Sequence, residues 1–269
     1  MHRSRDFVSL VKTPLFAAAS LAFAVAPSLG VAQTAAPSAS HTAQSSPQGD
    51  TLASIAKLPD WGGIWEVTFG GGPRGVRPEQ PSLTPAYEAK LKEYQDAQRR
   101  GEIQDTPAAN CVPSGMPGIM TQPYPMEILF TPGKVTIMIE AYSQWRQIFT
   151  DGRKHPEDPD LTFNGHSIGH WEGDTLVVDT VGFTTDTALA GFGVRHSDKM
   201  HIVERMHLVD KDKLQIDTTV TDTQALAKPY TSTRVYGRHR DWTLAEYVCQ
   251  QNNRNYVTED GKAGINLKH

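Results

Sequence analysis

Histidine is the residue type that most clearly indicates chemistry in this chain. Imidazole titrates near neutral pH, so a histidine can serve as a general acid or base and as a metal ligand. Seven histidines fall between residues 155 and 239: His155, His166, His170, His196, His201, His207 and His239. Three of them, His166, His196 and His201, are the candidate catalytic histidines.

Glu204 is the fourth candidate catalytic residue, because it interrupts an otherwise apolar row. One face of its predicted strand reads Met200, Ile202, Glu204, Met206 and Leu208. If that row faces the core, desolvation raises the pKa of the carboxyl group unless a cation pairs with it. Two interpretations stay open: Glu204 acts in catalysis, or it forms a structural pair with an arginine such as Arg146 or Arg234. The opposite face carries His201, Arg205 and His207, and only one face can be interior.

A second group of side chains could bind a substrate. Tryptophans at strand starts and turns, and tyrosines on strands, suit a cavity for apolar or aromatic molecules. Ordinary core packing is the alternative for these aromatic residues, and an outward, solvated position is the alternative for Glu140. The candidate substrate-binding residues are Arg146, Arg205, Tyr142, Glu140, Trp65 and Trp171. We therefore expect a small hydrophobic or aromatic ligand.

Metal and cofactor chemistry receive less support from the sequence. His166 and His170 have a helical ligand spacing, but Gly165, Gly169 and the strand that follows argue against a helix. On an extended strand the two histidines would lie ~13 Å apart. A metal site would need histidines from separate strands, such as His166, His196 and His201, and it stays open as an alternative. The chain has no Gly-x-Ser-x-Gly elbow and no glycine fingerprint for a nucleotide, and we expect no cofactor.

A mainly β fold must position these side chains. From Met126 onward, runs of alternating apolar and polar residues are separated by turn signals, and they predict about nine or ten strands joined in sequence order. After the predicted strand Trp145–Thr150, for example, Asp151-Gly152-Arg153 predicts a turn. Such a chain favours an antiparallel meander closed as a β-barrel, with a β-sandwich as the alternative.

Two further elements precede the predicted strands of the barrel wall. One N-terminal helix is predicted from Pro85, with Thr84 as its N-cap, to the glycine stop at Gly101. Residues 105–125 contain five prolines, a density that no regular element tolerates. We predict that this proline-rich segment is extended and lies over the rest of the domain.

The N-terminal pattern is typical of an exported protein. Basic residues Arg3, Arg5 and Lys12 precede a short apolar run, and small residues lead to Ala32. We predict a signal peptide over residues 1–32 with cleavage near Ala32, a flexible linker over 33–57, and one β-rich domain over 58–269. The expected location is the periplasm or the exterior.

The two cysteines, Cys111 and Cys249, fit that location. An oxidising compartment favours one disulfide between them, which would join the proline-rich segment to the predicted last strand, Leu244–Cys249. Two buried thiols or a metal pair are the alternatives.

Charge and hydropathy exclude two classes of partner. Lys+Arg total 26 against 30 Asp+Glu, for a formal net charge of −4. This balance does not attract polyanions, so we expect no nucleic-acid partner. No run of 18 apolar residues follows the leader, so we expect no membrane anchor in the mature protein.

Residues 165–183, with the sequence GHSIGHWEGDTLVVDTVGF, resemble a large, largely uncharacterised family of secreted bacterial proteins. Further matching segments are PDWGGIW at 59–65, FTDGRKHP at 149–156, His196-Ser197 with His201 and Glu204-Arg205, and EYVC at 246–249. The resemblance covers most of residues 58–255, and it implies export and one shared β-rich fold without implying an activity. Gly63-Ile64-Trp65 also resembles the opening of lipocalin-like (calycin) barrels, in which such a tryptophan closes the barrel base.

These observations combine into one principal functional hypothesis and two alternatives. The principal hypothesis is an exported, lipocalin-like β-barrel that acts on a small hydrophobic or aromatic compound by acid–base chemistry, as a lyase, isomerase or hydrolase. The first alternative is a non-catalytic lipocalin-like ligand-binding protein. The second is a periplasmic metal-binding protein.

Overall fold

The computed structural model describes residues 49–68, 80–101, 111–190, 193–252, 255–257 and 263–265. They belong to one compact unit, which spans Gln44–His269. The predicted signal peptide, its cleavage site near Ala32 and residues 33–48 of the predicted linker lie outside the described residues.

Nine of the strands in the described ranges close into a barrel, as the alternating pattern predicts. In chain order the strands are β1 (Ile64–Val67), β2 (Met126–Thr131), β3 (Lys134–Ile139), β4 (Gln144–Phe149), β5 (His166–Glu172), β6 (Thr175–Val181), β7 (Ala188–Ala190), β8 (Val194–Arg195), β9 (His201–Asp210), β10 (Lys213–Thr221), β11 (Tyr230–His239), β12 (Asn255–Val257) and β13 (Ala263–Ile265). The barrel runs β1 to β6, then β9 to β11, and β11 pairs with β1. This closed circuit confirms the barrel over the sandwich alternative.

The barrel differs from the predicted meander at one pair, because β4 and β5 are parallel. They pair at two positions, Ile148 with Ser167 and Phe149 with Ile168. The turn signal at residues 151–153 does not produce a hairpin. Instead, residues 150–165 form a crossover segment that returns the chain to the start of β5, as a parallel pair requires.

Alternation along each strand separates the interior of the barrel from its outer face. On β9, Ile202, Glu204 and Met206 are buried, whereas Arg205 is exposed. On β6, Leu176, Val178 and Thr180 are buried, and Asp179 lies on the opposite face. The apolar row that contains Glu204 therefore faces the core, and His201 faces outward.

Two helices lie outside the barrel wall. The predicted helix is confirmed as α2 (Pro85–Arg99), although the Thr84 side chain donates to the Gln224 carbonyl rather than capping the helix. The second, α1 (Leu52–Ile55), falls within the predicted linker and begins at a capping box formed by Thr51 and Ser54. Ordered structure therefore begins before residue 58. Among the described helices, none is long and apolar enough to cross a membrane.

The disulfide between Cys111 and Cys249 is confirmed, with 5.7 Å between the Cα atoms. The segments that it joins differ from those predicted. Residues 111–125 are not extended throughout, because Gly118–Thr121 form a 3-10 helix. Residues 241–248 form no strand, and a 3-10 helix begins at Cys249. The predicted extended segment was wrong here because a short 3-10 helix can lie between two prolines, in this case Pro117 and Pro123.

Aromatic residues fill one end of the barrel. Trp65 is fully buried, and its indole N–H donates to the Trp61 carbonyl. The Arg238 guanidinium lies 4.5 Å from the centroid of the Trp65 ring and donates to the Asp60 and Gly62 carbonyls. Trp61, Phe130 and Trp171 pack against one another, with centroids 5.3–5.6 Å apart. Trp65 and Trp171 therefore serve core packing, the alternative considered for these aromatic residues.

Candidate functional site

The barrel interior contains a buried ion pair between Arg146 and Glu204, each with 1% of its side chain exposed. Arg146 also donates to Ser167 Oγ at 3.2 Å and to Thr180 Oγ1 at 2.9 Å. The network thus joins β4, β5, β6 and β9. Isolated buried charges are strongly unfavourable, and each member of this pair offsets part of that penalty for the other. The structure therefore shows the structural pair considered for Glu204, with Arg146 as the partner.

A tyrosine lies close to this pair. Tyr236 is buried, and its hydroxyl donates to the Met120 carbonyl at 2.5 Å. Burial raises the pKa of Tyr236, and the nearby Glu204 carboxylate raises it further. The phenol therefore stays protonated and acts as a fixed donor inside the barrel.

The outer face carries a hydrogen-bonded chain of three histidines and one aspartate, which we call the histidine–aspartate chain. Asp179 Oδ1 lies 2.8 Å from His201 Nε2 and 3.0 Å from His155 Nε2. The other ring nitrogen of His155, Nδ1, lies 2.9 Å from His166 Nδ1. The chain therefore runs from His201 through Asp179 and His155 to His166.

The chain constrains the tautomer of each neutral ring. A carboxylate only accepts hydrogen bonds, so His155 donates to Asp179 through Nε2. A neutral His155 then accepts at Nδ1, and His166 must donate from its own Nδ1. This leaves His166 Nε2 as an acceptor. Burial lowers the pKa of His166, and the Arg153 guanidinium lowers it further, so His166 is neutral at neutral pH.

His166 also lines a cavity of about 470 Å³ between β4 and the crossover segment, which we call the β4–β5 cleft. The cleft lies next to the short ladder between β4 and β5, which pair at two positions. Asn164 ties the crossover segment to β4 by donating to the Trp145 carbonyl at 3.1 Å. The lining residues are Gln144, Trp145, Arg146, Gln147, Phe149, Pro156, Pro159, Asp160, Thr162, Phe163, Asn164, Gly165, His166 and Ser167.

Aromatic contacts hold His166 at the wall of the cleft. Its ring stacks on Phe149, with centroids 5.5 Å apart. The Arg153 guanidinium lies 3.9 Å from the centroid of the same Phe149 ring. Arg153 is itself paired with Asp151 through two nitrogens. The orientation of His166 is therefore fixed by stacking and by its hydrogen bond to His155.

The structure does not bring the four candidate catalytic residues together. Glu204 is interior, whereas His166 and His201 belong to the outer histidine–aspartate chain. His196 lies in a different network, where its Nδ1 contacts the Ser197 carbonyl and its Nε2 contacts Thr187 Oγ1, both at 2.8 Å. Burial lowers the pKa of His196, so this histidine is a neutral, internally bonded side chain.

The remaining candidate substrate-binding residues also have structural partners. Arg205 is on the outer face and pairs with Glu172 at 2.8 Å. Glu140 accepts from the Ala245 backbone N–H at 2.8 Å, so it is neither free nor simply solvated. Tyr142 packs on Tyr247, with centroids 5.3 Å apart. Glu140 and Tyr142 therefore hold the C-terminal segment near the disulfide, while Arg146 is both interior and part of the cleft lining.

Sequence reasoning did not select His155 or Asp179 as site residues. Both had a weak signal: Asp179 lies opposite an apolar face of its strand, and His155 follows a turn. The position of Asp179 depends on strand register, in which Asp179 pairs with Ile168 on one side and Val203 on the other, and His155 comes from the crossover segment. That register places Asp179 on the same face as His166 and His201. Within the described ranges, no three His, Cys, Asp or Glu side chains are arranged to share a metal ion.

Comparison with known proteins gives no family assignment. No protein-family model matches the chain, and no curated protein matches it.

Proposed function

We propose that the protein is an exported barrel that binds a small ring compound in the β4–β5 cleft and removes a proton from it with His166. The reaction class is a lyase, isomerase or hydrolase reaction that begins with proton abstraction. The observation that carries the proposal is the hydrogen bond of 2.9 Å between His155 and His166 at the cleft wall. That bond leaves Nε2 of His166 as the proton acceptor.

The surroundings of His166 suit a general base. Asp179 and His155 hold its tautomer, so no reorganisation is needed before the proton moves. The lowered pKa of His166 keeps the ring neutral at neutral pH, which is the form that accepts a proton. Trp145, Phe149 and Phe163 supply apolar lining for a ring, and the amides of Gln144 and Asn164 supply polar groups.

Two observations support export. The N-terminal residues have the signal-peptide pattern described above. The Cys111–Cys249 disulfide is a bond typical of proteins in oxidising compartments.

A non-catalytic binding protein is the second candidate. The observation in its favour is that Arg146 and Glu204 balance each other's charge inside the barrel, so their charges are explained without catalysis. In that case His166 would only contact the ligand.

The experiment that separates the two candidates is turnover of 5-nitrobenzisoxazole, a general probe for a positioned base. His166 Nε2 would take the proton from the ring carbon, the N–O bond would break, and 2-cyano-4-nitrophenolate would form. We expect the His166→Gln variant to lower kcat/KM at least about 100-fold, the lower end of general-base effects. The rate should rise with pH through a pKa of His166 below its ordinary value of 6.5.

His170 provides the matched control. It lies on the same face of β5, is exposed and pairs with Glu172. His170→Gln should leave kcat/KM within about twofold, as expected for a surface position. Equal rates for His166→Gln and the unsubstituted protein would overturn the catalytic proposal, and saturable binding without turnover would then identify the binding protein.

A further inference from the structure

Among the described residues, the two arginines at the β4–β5 cleft are each paired with a carboxylate, and the histidine in its lining is neutral. Arg146 is paired with Glu204 inside the barrel. Arg153, next to the cleft, is paired with Asp151 through Nη2 and Nε. Burial and neighbouring charges lower the pKa of His166, so its ring is neutral. A ligand therefore meets no uncompensated positive charge among the described lining residues.

One negative charge at the cleft is uncompensated. Asp160 lines the cavity from the crossover segment and is exposed. In the part of the chain that the structure describes, its carboxylate has no hydrogen-bond or ion-pair partner. Because the charge of Arg146 is balanced by Glu204, the Asp160 carboxylate is the uncompensated charge among the described lining residues.

The aromatic residues in the lining also favour a positively charged ligand. Trp145 has 65% of its surface exposed and presents a large ring at the cleft. Phe149 already holds a cation, because the Arg153 guanidinium lies 3.9 Å from its ring centroid. Aromatic faces carry negative potential and attract ammonium and guanidinium groups. A free carboxylate that lines the same cleft as an exposed tryptophan ring is a combination that recognises organic cations.

We infer that the ligand of the β4–β5 cleft is an organic cation, a protonated amine on an apolar or aromatic body, and that Asp160 determines this preference. The inference rests on the proposed function, since it names the substrate class of the same cleft. The ammonium group would lie against the Asp160 carboxylate and the Trp145 ring. The apolar body would extend toward Phe149 and His166.

The test compares three probes of similar size: benzylammonium, benzyl alcohol and benzoate. Each is titrated into the full mature protein while the indole N–H signal of Trp145 is followed by NMR, assigned with Trp145→Phe. We expect benzylammonium to bind tightest and benzoate weakest. Asp160→Asn should weaken benzylammonium about threefold to fivefold, the effect of an exposed ion pair, and leave benzyl alcohol unchanged.

Asp158→Asn is the matched control, because Asp158 is exposed in the same segment and does not line the cleft. It should change the affinity for benzylammonium less than twofold. Equal or tighter binding of benzoate, equal effects of the two substitutions, or no saturable shift with benzylammonium would each overturn the inference.

Repeating the titration with His166→Gln separates this inference from the proposed function. The ligand class is supported and the catalytic role is rejected if His166→Gln still binds benzylammonium and the unsubstituted protein does not turn over 5-nitrobenzisoxazole. Turnover that depends on His166, in a protein that prefers benzoate, would reject the ligand class alone.

Discussion

The buried pair of Arg146 and Glu204 makes the sharpest prediction about stability. Glu204→Gln keeps the size of the side chain but removes its negative charge, which leaves the Arg146 guanidinium charged and unpaired with 1% exposure. Removing one partner of a buried pair costs about 3–5 kcal/mol. We expect the free energy of unfolding to fall by that amount, which is a large part of the total for a domain.

A surface pair on the same strand gives the control. Arg205 follows Glu204 on β9 and pairs with Glu172, and both side chains are 49% exposed. Glu172→Gln should lower the free energy of unfolding by less than about 1 kcal/mol, because exposed pairs contribute little. Both variants are measured by urea denaturation with the disulfide intact, so that the comparison of midpoints uses the same unfolded state.

Two outcomes would refute the reasoning. The pair would not be structural if Glu204→Gln destabilised the protein no more than Glu172→Gln does. The second outcome is that Glu204→Gln leaves the stability unchanged but abolishes turnover of 5-nitrobenzisoxazole. Glu204 would then be a catalytic residue. Replacing both residues, as Arg146→Met with Glu204→Leu, should recover most of the lost stability, because no charge then remains buried.

Three further predictions concern the disulfide, His196 and the histidine–aspartate chain. The double substitution Cys111→Ser with Cys249→Ser should lower the free energy of unfolding by about 4–5 kcal/mol on the chain-entropy model, measured by urea denaturation, whereas an unchanged midpoint would contradict it. Burial lowers the pKa of His196 below 6.5, so the unfolded chain binds more protons on acidification and stability declines as pH falls below that value. The slope should be smaller in His196→Gln, and an identical pH profile of unfolding would reject this. Asp179→Asn should lower turnover of 5-nitrobenzisoxazole at least about tenfold and shift its pH profile, because His155 loses the carboxylate that fixes its tautomer. An unshifted profile would leave Asp179 with a structural role only.

The interior of the barrel could be predicted from the sequence because strand alternation is a local property. The row of Ile202, Glu204 and Met206 has one charged member, and burial of the row forces a partner for it. The sequence named two arginines as partners, and the structure selects Arg146. That choice depends on where β4 lies in the barrel, which no local pattern encodes.

The outer site could not be predicted because it depends on a long-range crossing. The residues Asp151 and Gly152 are typical of a hairpin turn, and a hairpin would have paired β4 and β5 as antiparallel neighbours. The chain instead continues through residues 153–165 before β5 begins. This path brings His155 against His166, with 2.9 Å between their Nδ1 atoms. Turn chemistry fixes a local bend, but it does not fix what the chain does ten residues later.

The interior pair and the outer site are coupled through one strand. Ser167 and His166 are neighbours on β5, so their side chains point to opposite faces of the barrel wall. Ser167 accepts from Arg146 in the interior at 3.2 Å, and His166 faces the β4–β5 cleft.

This coupling compensates for the short ladder between β4 and β5, which pair at two positions. The hydrogen bond from Arg146 to Ser167 spans the same pair of strands from inside. It therefore helps to fix the register of β5 where the ladder opens into the cleft. A buried ion pair that adds little to stability can still favour one arrangement of the strands that it joins. In this barrel, the network of Arg146 and Glu204 contacts Ser167 and the histidine–aspartate chain includes His166, so the two networks hold neighbouring residues of β5 from its two faces.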